Sequence, residues 1–204
     1  MQSSITAFEA VERLEDQSLE VLNASDARIV QEAEGREKFL WAASNALVDN
    51  PIFHPAIRVE GRLEVRARTP TLAAVTGNAV IRAGGRVCKP WRALPLYAGC
   101  SMVVEAVEAP VYVSFSGLRA LTLQLKAGLR LIVKRVSEID GDIIARFIPQ
   151  SLVQACLNNG EPCDKAVQRV LRHLRYACEM ARSGARLVRV KIGNTVYEMW
   201  VKEV

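Results

Sequence analysis

The sequence predicts a mainly β, α+β protein: an antiparallel barrel or sandwich preceded by helices and followed by a helix pair and a β-hairpin. Three observations predict it. From Ile57 to about Arg146, short aliphatic runs are broken by Gly, Pro and Asn roughly every 8 to 12 residues, the rhythm of antiparallel strands and not of βαβ units. Outside that region the apolar residues recur with the period of helices. The tail, LVRVKIGNTVYEMWVKEV, alternates around a Gly-Asn pair, the signal of a tight hairpin.

Taken in order, Thr6–Asp16 reads as a helix. Thr6 and Glu9 have the spacing of a capping box, and Phe8, Val11 and Leu14 share a face. Ser18–Leu22 alternates and reads as a short strand ending at Asn23. A helix from Arg36 to Val48 follows, stopped by Asn50-Pro51. The β region then offers Ile57–Val59 and Leu63–Arg66 around Glu60-Gly61, and Leu72–Val75 before Gly77-Asn78. Val80-Ile81 and Val87 flank Gly84-Gly85, and Leu94 and Leu96 flank Pro95. Met102–Val107, Val111–Phe115, Leu121–Leu125, Leu129–Val133 and Ile143-Ile144 complete the strands. Ser151–Asn158 reads as a short helix ending at Gly160. Pro162 opens a longer one to Ser183, closed by Gly184. Pairing across Gly193-Asn194 sets Val188 opposite Met199 and Val190 opposite Tyr197. The expected units are 1–146, N-terminal helix and barrel, and 147–204, C-terminal helices and hairpin packing on it.

At 204 residues the chain can bury one full core. No run of 18 apolar residues occurs, which excludes a membrane-spanning helix by composition. The acidic start, MQSSITAFEAVERLEDQ, lacks the basic and apolar blocks of a signal peptide, so a cytoplasmic protein is expected. Five cysteines, Cys88, Cys100, Cys156, Cys163 and Cys178, are odd in number and widely spaced, so free thiols are expected. With no C-x-x-C and only His54 and His173 as histidines, neither a metal site nor a cofactor is expected.

Charge is polarised. Residues 1–60 hold 11 acidic and 5 basic side chains, whereas residues 61–204 hold 22 basic and 11 acidic. Arg169, Arg172 and Arg175 recur every three residues on the long C-terminal helix, with Lys165 and Arg182 on the same helix and Arg186, Arg189 and Lys191 beyond it. Such a stripe could track phosphates. No aromatic platform interleaves with it, which argues against a nucleic-acid partner and for a solvated face or one that meets the acidic N-terminal helix. There is no P-loop, no G-x-G-x-x-G, no G-x-S-x-G and no H-E-x-x-H, so catalytic residues are not assigned.

A set of short segments, ordered along about 115 residues, resembles a known family. Leu19–Leu22 matches its opening strand, Ile29-Val30-Gln31-Glu32 with Gly35-Arg36 its VQD-GR element, and Asn45–Pro51 its AN-LVGNP helix end. Val75-Thr76-Gly77 resembles its TG turn. Gly85–Trp91 with Ala98-Gly99 resembles the next hairpin, Val111–Gly117 the following strand, and Leu125–Gly128 the last turn. The family is the carboxyltransferase subunit-2 group: allophanate hydrolase subunit 2, the C component of 5-oxoprolinase, KipA and the carboxyltransferase part of urea amidolyase. The resemblance implies a cyclophilin-like β-barrel, and it covers only the first of the family's two barrel units.

Departures accompany it. Gly35-Arg36 runs straight into a helix where the family has a Gly/Pro-rich loop, Ser116-Gly117 stands for a double glycine, and the Gly-Ser-Arg-Ser-type segment is not recognisable. The family's carboxyl transfer to urea and ATP-dependent opening of 5-oxoproline use a cleft shared with a partner subunit. The resemblance therefore implies a reduced, partner-dependent or non-catalytic binding subunit, paired with a subunit-1-like (KipI-type) protein or with itself. The alternatives are a small amide- or carboxylate-processing enzyme of the same lineage and the nucleic-acid reading. Gln31, Arg36, Thr76, Gly77, Trp91 and Arg92 are the ligand-binding candidates. Trp91 is expected to cover the open end of the barrel, and Trp91 and Arg92 to rim a cleft.

Overall fold

The computed structural model describes residues 18–119, 122–136, 143, 145–158, 162–193 and 195–202. The helix read over Thr6–Asp16 lies outside them. In order come β1 (Ser18–Val30), α1 (Gly35–Leu47), β2 (Ala56–Ala67), β3 (Thr71–Ala83), β4 (Arg86–Cys88), β5 (Ala93–Leu96), β6 (Ser101–Phe115) and β7 (Arg130–Ile132). Then follow α2 (Gln150–Asn158), α3 (Cys163–Arg182), β8 (Arg186–Ile192) and β9 (Thr195–Val201). Seven strands form one antiparallel sheet in the order β4-β3-β6-β2-β1-β7, with β5 also paired to β3. The chain after β7 ties the sheet back on itself. Lys134 N–H donates to Ser116 O at 2.7 Å, and Val136 N–H to Pro70 O at 2.9 Å, at the ends of β6 and β3. The result is the barrel-like α+β fold that the sequence predicts. No helix among the described residues is long and apolar enough to cross a membrane.

The strands are fewer and longer than the sequence suggests, and the reason is physical. Glu60-Gly61 and Gly77-Asn78 read as turns and residues 108–110 as a gap between two strands, yet each lies inside a continuous strand of 12 to 15 residues. They are irregularities of register. The ladder slips between Ser25 and Ala27 on β1, between Val59 and Arg62 on β2, and between Thr76 and Ala79 on β3. Because these slips are neighbours across the sheet, they form one row of bulges along which the long strands bend, and a bent sheet can curl. Glycine is required twice in that row. A Cβ on Gly61 would sit 2.7 Å from Ser25 O, and Gly77, at φ +103, would bring one to 2.8 Å from Val111 Cγ1.

Two further strand readings are corrected. Leu121–Leu125 makes only a single bridge in its described part, Gln124 with Arg28, and Ile29 N–H donates to Leu123 O at 3.0 Å. Ile143 is helical and not extended, its carbonyl accepting from Arg146 N–H at 3.1 Å, while Ile144 lies outside the described residues. The C-terminal reading holds: β8 and β9 pair with Val188 opposite Met199 and Val190 opposite Tyr197.

Two apolar clusters hold the molecule together. Alternate residues of the sheet fill the interior of the barrel, among them Ala73 and Val75 of β3 and Val111, Val113 and Phe115 of β6. Their neighbours Leu72, Ala74 and Tyr112 face the other way, into a layer with α1, α2 and α3. Residues 71–76 are therefore buried on both faces, which is why Leu72–Val75 within them reads as an unbroken apolar run. Helix α1 is buried from Phe39 through Leu47 because the sheet and α3 cover it from two sides. Its small residues Ala42, Ala43 and Ala46 allow a close approach to the sheet. The buried polar groups in this layer are satisfied: Ser44 Oγ donates to Trp41 O at 2.8 Å and accepts from Ser114 Oγ at 2.7 Å.

Candidate functional site

Between β4 and β5, the segment Lys89-Pro90-Trp91-Arg92 turns along the outer face of the barrel. Trp91 occupies the left-handed region, at φ +64. For a bulky side chain this conformation costs about 1–2 kcal/mol. It persists because both backbone groups of Trp91 are bonded, N–H to Val75 O at 2.8 Å and carbonyl from Ile148 N–H at 2.8 Å. Its ring, 7% exposed, packs on Phe39 with centroids 6.1 Å apart. Trp91 thus joins the helix-side layer and does not cap the barrel interior. Strain held in place in this way is a mark of sites where geometry serves function. Two clefts meet at Trp91, sharing Pro90 and Gln150 as well.

The first cleft, about 460 Å3, lies over the bulge row. Gly77, Asn78, Glu108, Ala109 and Pro110 form its floor, and Arg36, Glu37 and Gln154 its rim. The carboxylate of Glu37 is fully engaged. Arg58 donates to it twice, Nε to Oε2 at 2.8 Å and Nη2 to Oε1 at 3.2 Å, and Tyr112 OH donates to Oε2 at 2.6 Å. The Arg58 hydrogen bond is the main reason that the Glu37 carboxyl is held below its usual range, with Tyr112 adding to it against the cost of burial. Burial first, and then the hydrogen bond to Glu37 and the charge of that carboxylate, push the Tyr112 phenol up. Arg58 also pairs with Glu60. At neutral pH Glu37 is therefore a fixed anion and Tyr112 a fixed donor, a frame that positions the start of α1 and does not shuttle protons.

The second cleft, about 890 Å3, lies between the Trp91 segment, α2, α3 and the β8-β9 hairpin. Trp91, Phe147, Tyr176 and Trp200 supply aromatic walls, while Lys89, Arg92 and the ion pair of Arg189 with Glu198 supply charge. His173 stands in its wall. A carbonyl can only accept, so the 3.0 Å contact between Nε2 and Phe147 O fixes the proton on Nε2 and leaves Nδ1 as the acceptor of the neutral ring. Burial pushes the His173 pKa down, opposed by that bond and by the Glu198 charge. The sign of the pH effect follows. As pH falls below about 6.5 the unfolded chain takes up this proton before the folded one, so stability is lost on acidification through that window. Thermal melts at about pH 7.5 and pH 5.5 should show a larger drop for the native chain than for His173→Gln; equal drops would remove His173 as the cause.

The candidates from sequence are distributed as follows. Arg36, Gly77 and Trp91 line the first cleft, and Trp91 and Arg92 the second. Gln31 is exposed beyond the end of β1 and lines neither. Thr76 is fully buried, its hydroxyl donating to Leu40 O at 2.7 Å, so it ties α1 to β3. Thr76→Val, of the same shape, is expected to cost about 1–2 kcal/mol in urea unfolding; no change would mean that the bond contributes nothing. On α3, Ala166, Val167, Val170, Leu174 and Ala177 face the core. Arg172 and Arg175 are exposed, while Arg169 and Arg182 are each engaged by another group, so the four do not form one open stripe.

Sequence reasoning passes over Glu37, Arg58 and Tyr112, and over the walls Phe147, Tyr176 and Trp200. Only the three-dimensional fold joins them. Among the described residues no group of three or more His, Cys, Asp or Glu could hold a metal ion, and burial pushes the Cys163 thiol up, away from the reactive thiolate.

Solved structures share this architecture. The matching part of the Kluyveromyces lactis urea amidolyase superposes with a TM-score of 0.51 at 15% identity, over 57% of this chain and 9% of that one. The likeness is one of fold. The K. lactis urea carboxylase gives 0.51 at 16% identity over 57% of this chain and 14% of that one. TTHA0988, in one crystal form, gives 0.50 at 16% over 60% of this chain and 59% of that one. The chain therefore spans less than two thirds of each of these proteins. No protein-family model and no curated protein matches the sequence.

Proposed function

We propose that this chain is a reduced member of the carboxyltransferase subunit-2 lineage that works as a binding subunit, its working surface being the two clefts that meet at Trp91. The observation that carries the reading is the convergence there of Arg36, Gly77 and Trp91, which stand in the family-like segments, with Arg92 beside them. The barrel-like fold, shared with urea amidolyase and urea carboxylase, supports the lineage. Two of the three carboxylates that line the clefts support binding over catalysis: Glu37 and Glu198, though not Glu108, are held in ion pairs with arginine. An acid so held has little capacity for proton transfer near neutral pH.

The lineage implies a subunit-1-like partner in the cytoplasm. Purification of the tagged chain from its native host, followed by light scattering on the purified material, tests this. Recovery of a subunit-1-like protein in stoichiometric amount is the expected result. A bare monomer with no companion would overturn the pairing.

A further inference from the structure

The second cleft differs from the first in its materials. Its volume of about 890 Å3 is that of a small-molecule site, and its walls come from parts of the chain far apart in sequence. Trp91 and Lys89 belong to the barrel, Phe147 precedes α2, Tyr176 lies on α3 and Trp200 on β9. Flat apolar surfaces face one space from several sides, which suits a planar body over a branched one. Tyr176, 53% exposed, leaves a large aromatic face uncovered at the rim.

Charge decides the rest. Arg189 and Glu198 neutralise one another at 2.8 Å, so Lys89 and Arg92 remain as the net charge of the lining. They stand in sequence on either side of Pro90-Trp91, where the left-handed backbone of Trp91 is bonded through both its N–H and its carbonyl. His173 is held as a neutral ring whose Nε2–H is already given to Phe147 O. It adds no competing cation. The first turn of α2 opens on the same space through Gln150 and Ser151.

We propose that this cleft binds a planar organic anion, a flat ring system carrying a carboxylate or a phosphate, with the ring among Trp91, Tyr176 and Trp200 and the anionic group at Lys89 and Arg92. The site needs only this chain. Its failure would leave the pairing with a subunit-1-like protein standing, and failure of that pairing would leave the site standing.

The test is titration calorimetry on the full chain with four probes: 2-naphthoate, its neutral amide, cyclohexanecarboxylate and AMP. Either 2-naphthoate or AMP should bind, and which of them binds more tightly tells carboxylate from phosphate. The neutral amide and the non-planar acid should bind at least about tenfold more weakly than 2-naphthoate if the carboxylate is the group recognised. Trp200→Ala and Lys89→Gln change exposed or half-buried side chains outside both cores, and each should weaken binding by about tenfold while leaving the melting temperature near that of the native chain. Absence of binding by both 2-naphthoate and AMP, or binding indifferent to both substitutions, overturns the proposal.

Discussion

Trp91→Ala is expected to lower the melting temperature by roughly 6–12 °C, and Trp91→Gly to lower it less, which reverses the usual order of these two substitutions. Removing a buried indole costs about 3–5 kcal/mol. The lower end applies here, because both sides of Trp91 open on clefts that water can enter. For a chain of this size each kcal/mol corresponds to roughly 2–4 °C. The comparison of alanine with glycine isolates the backbone. At an ordinary position glycine is worse than alanine by about 0.5–1 kcal/mol. At φ +64 alanine must adopt the left-handed conformation at a cost of about 1–2 kcal/mol, whereas glycine does so freely. Urea unfolding of the two variants reads the difference directly. Trp91→Gly less stable than Trp91→Ala would show that residue 91 is not strained.

That strain was invisible in the sequence, and the cause lies in where it originates. Lys89-Pro90-Trp91-Arg92 announces a turn, because proline sets its own backbone angle and interrupts a ladder. Nothing local demands a left-handed tryptophan. The demand comes from Val75 O and Ile148 N–H, which grip residue 91 from β3 and from the segment before α2. Barrel, helix layer and hairpin were legible for the opposite reason: each rests on a local period or a local turn. Gly77-Asn78 and Glu60-Gly61 mark the limit between the two cases. Their turn chemistry is real, but inside long paired strands it produces bulges. The same row of bulges becomes the floor of the first cleft through Gly77, Asn78 and Ala109-Pro110. The candidate site was therefore half legible. Gly77 and Trp91 stand in the family-like segments, whereas Tyr176 and Trp200 reach the second cleft only through the packing of elements distant in the chain.

Asn50→Ala is expected to cost about 2–3 kcal/mol, and Asn50→Asp to cost more at neutral pH. The segment Asn45–Pro51 reads as a helix end, but its asparagines do more than stop a helix. Asn45, fully buried, gives its Nδ2 to His54 O at 2.7 Å, a carbonyl that also accepts from Trp41 Nε1 at 2.7 Å. Asn50 gives its Nδ2 to Asn45 Oδ1 at 3.0 Å and to Phe115 O at 2.9 Å, and accepts from Gly117 N–H at 2.8 Å. The end of α1 is thereby fastened to the end of β6. Alanine leaves Asn45 Oδ1 and Gly117 N–H without these partners, and a buried polar group without a partner costs about 1–3 kcal/mol. Aspartate keeps the bond from Gly117 but turns the donating edge into an oxyanion facing two acceptors, Asn45 Oδ1 and Phe115 O. Its folded-state pKa must then lie above the unfolded value near 3.9, so the folded chain takes up the proton first. Stability of the aspartate variant should rise relative to Asn50→Ala as pH falls through that range, since the protonated acid can donate again. Urea unfolding of both variants across this pH range checks it. Equal stabilities at every pH would show that the Asn50 amide does not donate to Asn45 and Phe115, and the fastening of α1 to β6 would have to lie elsewhere.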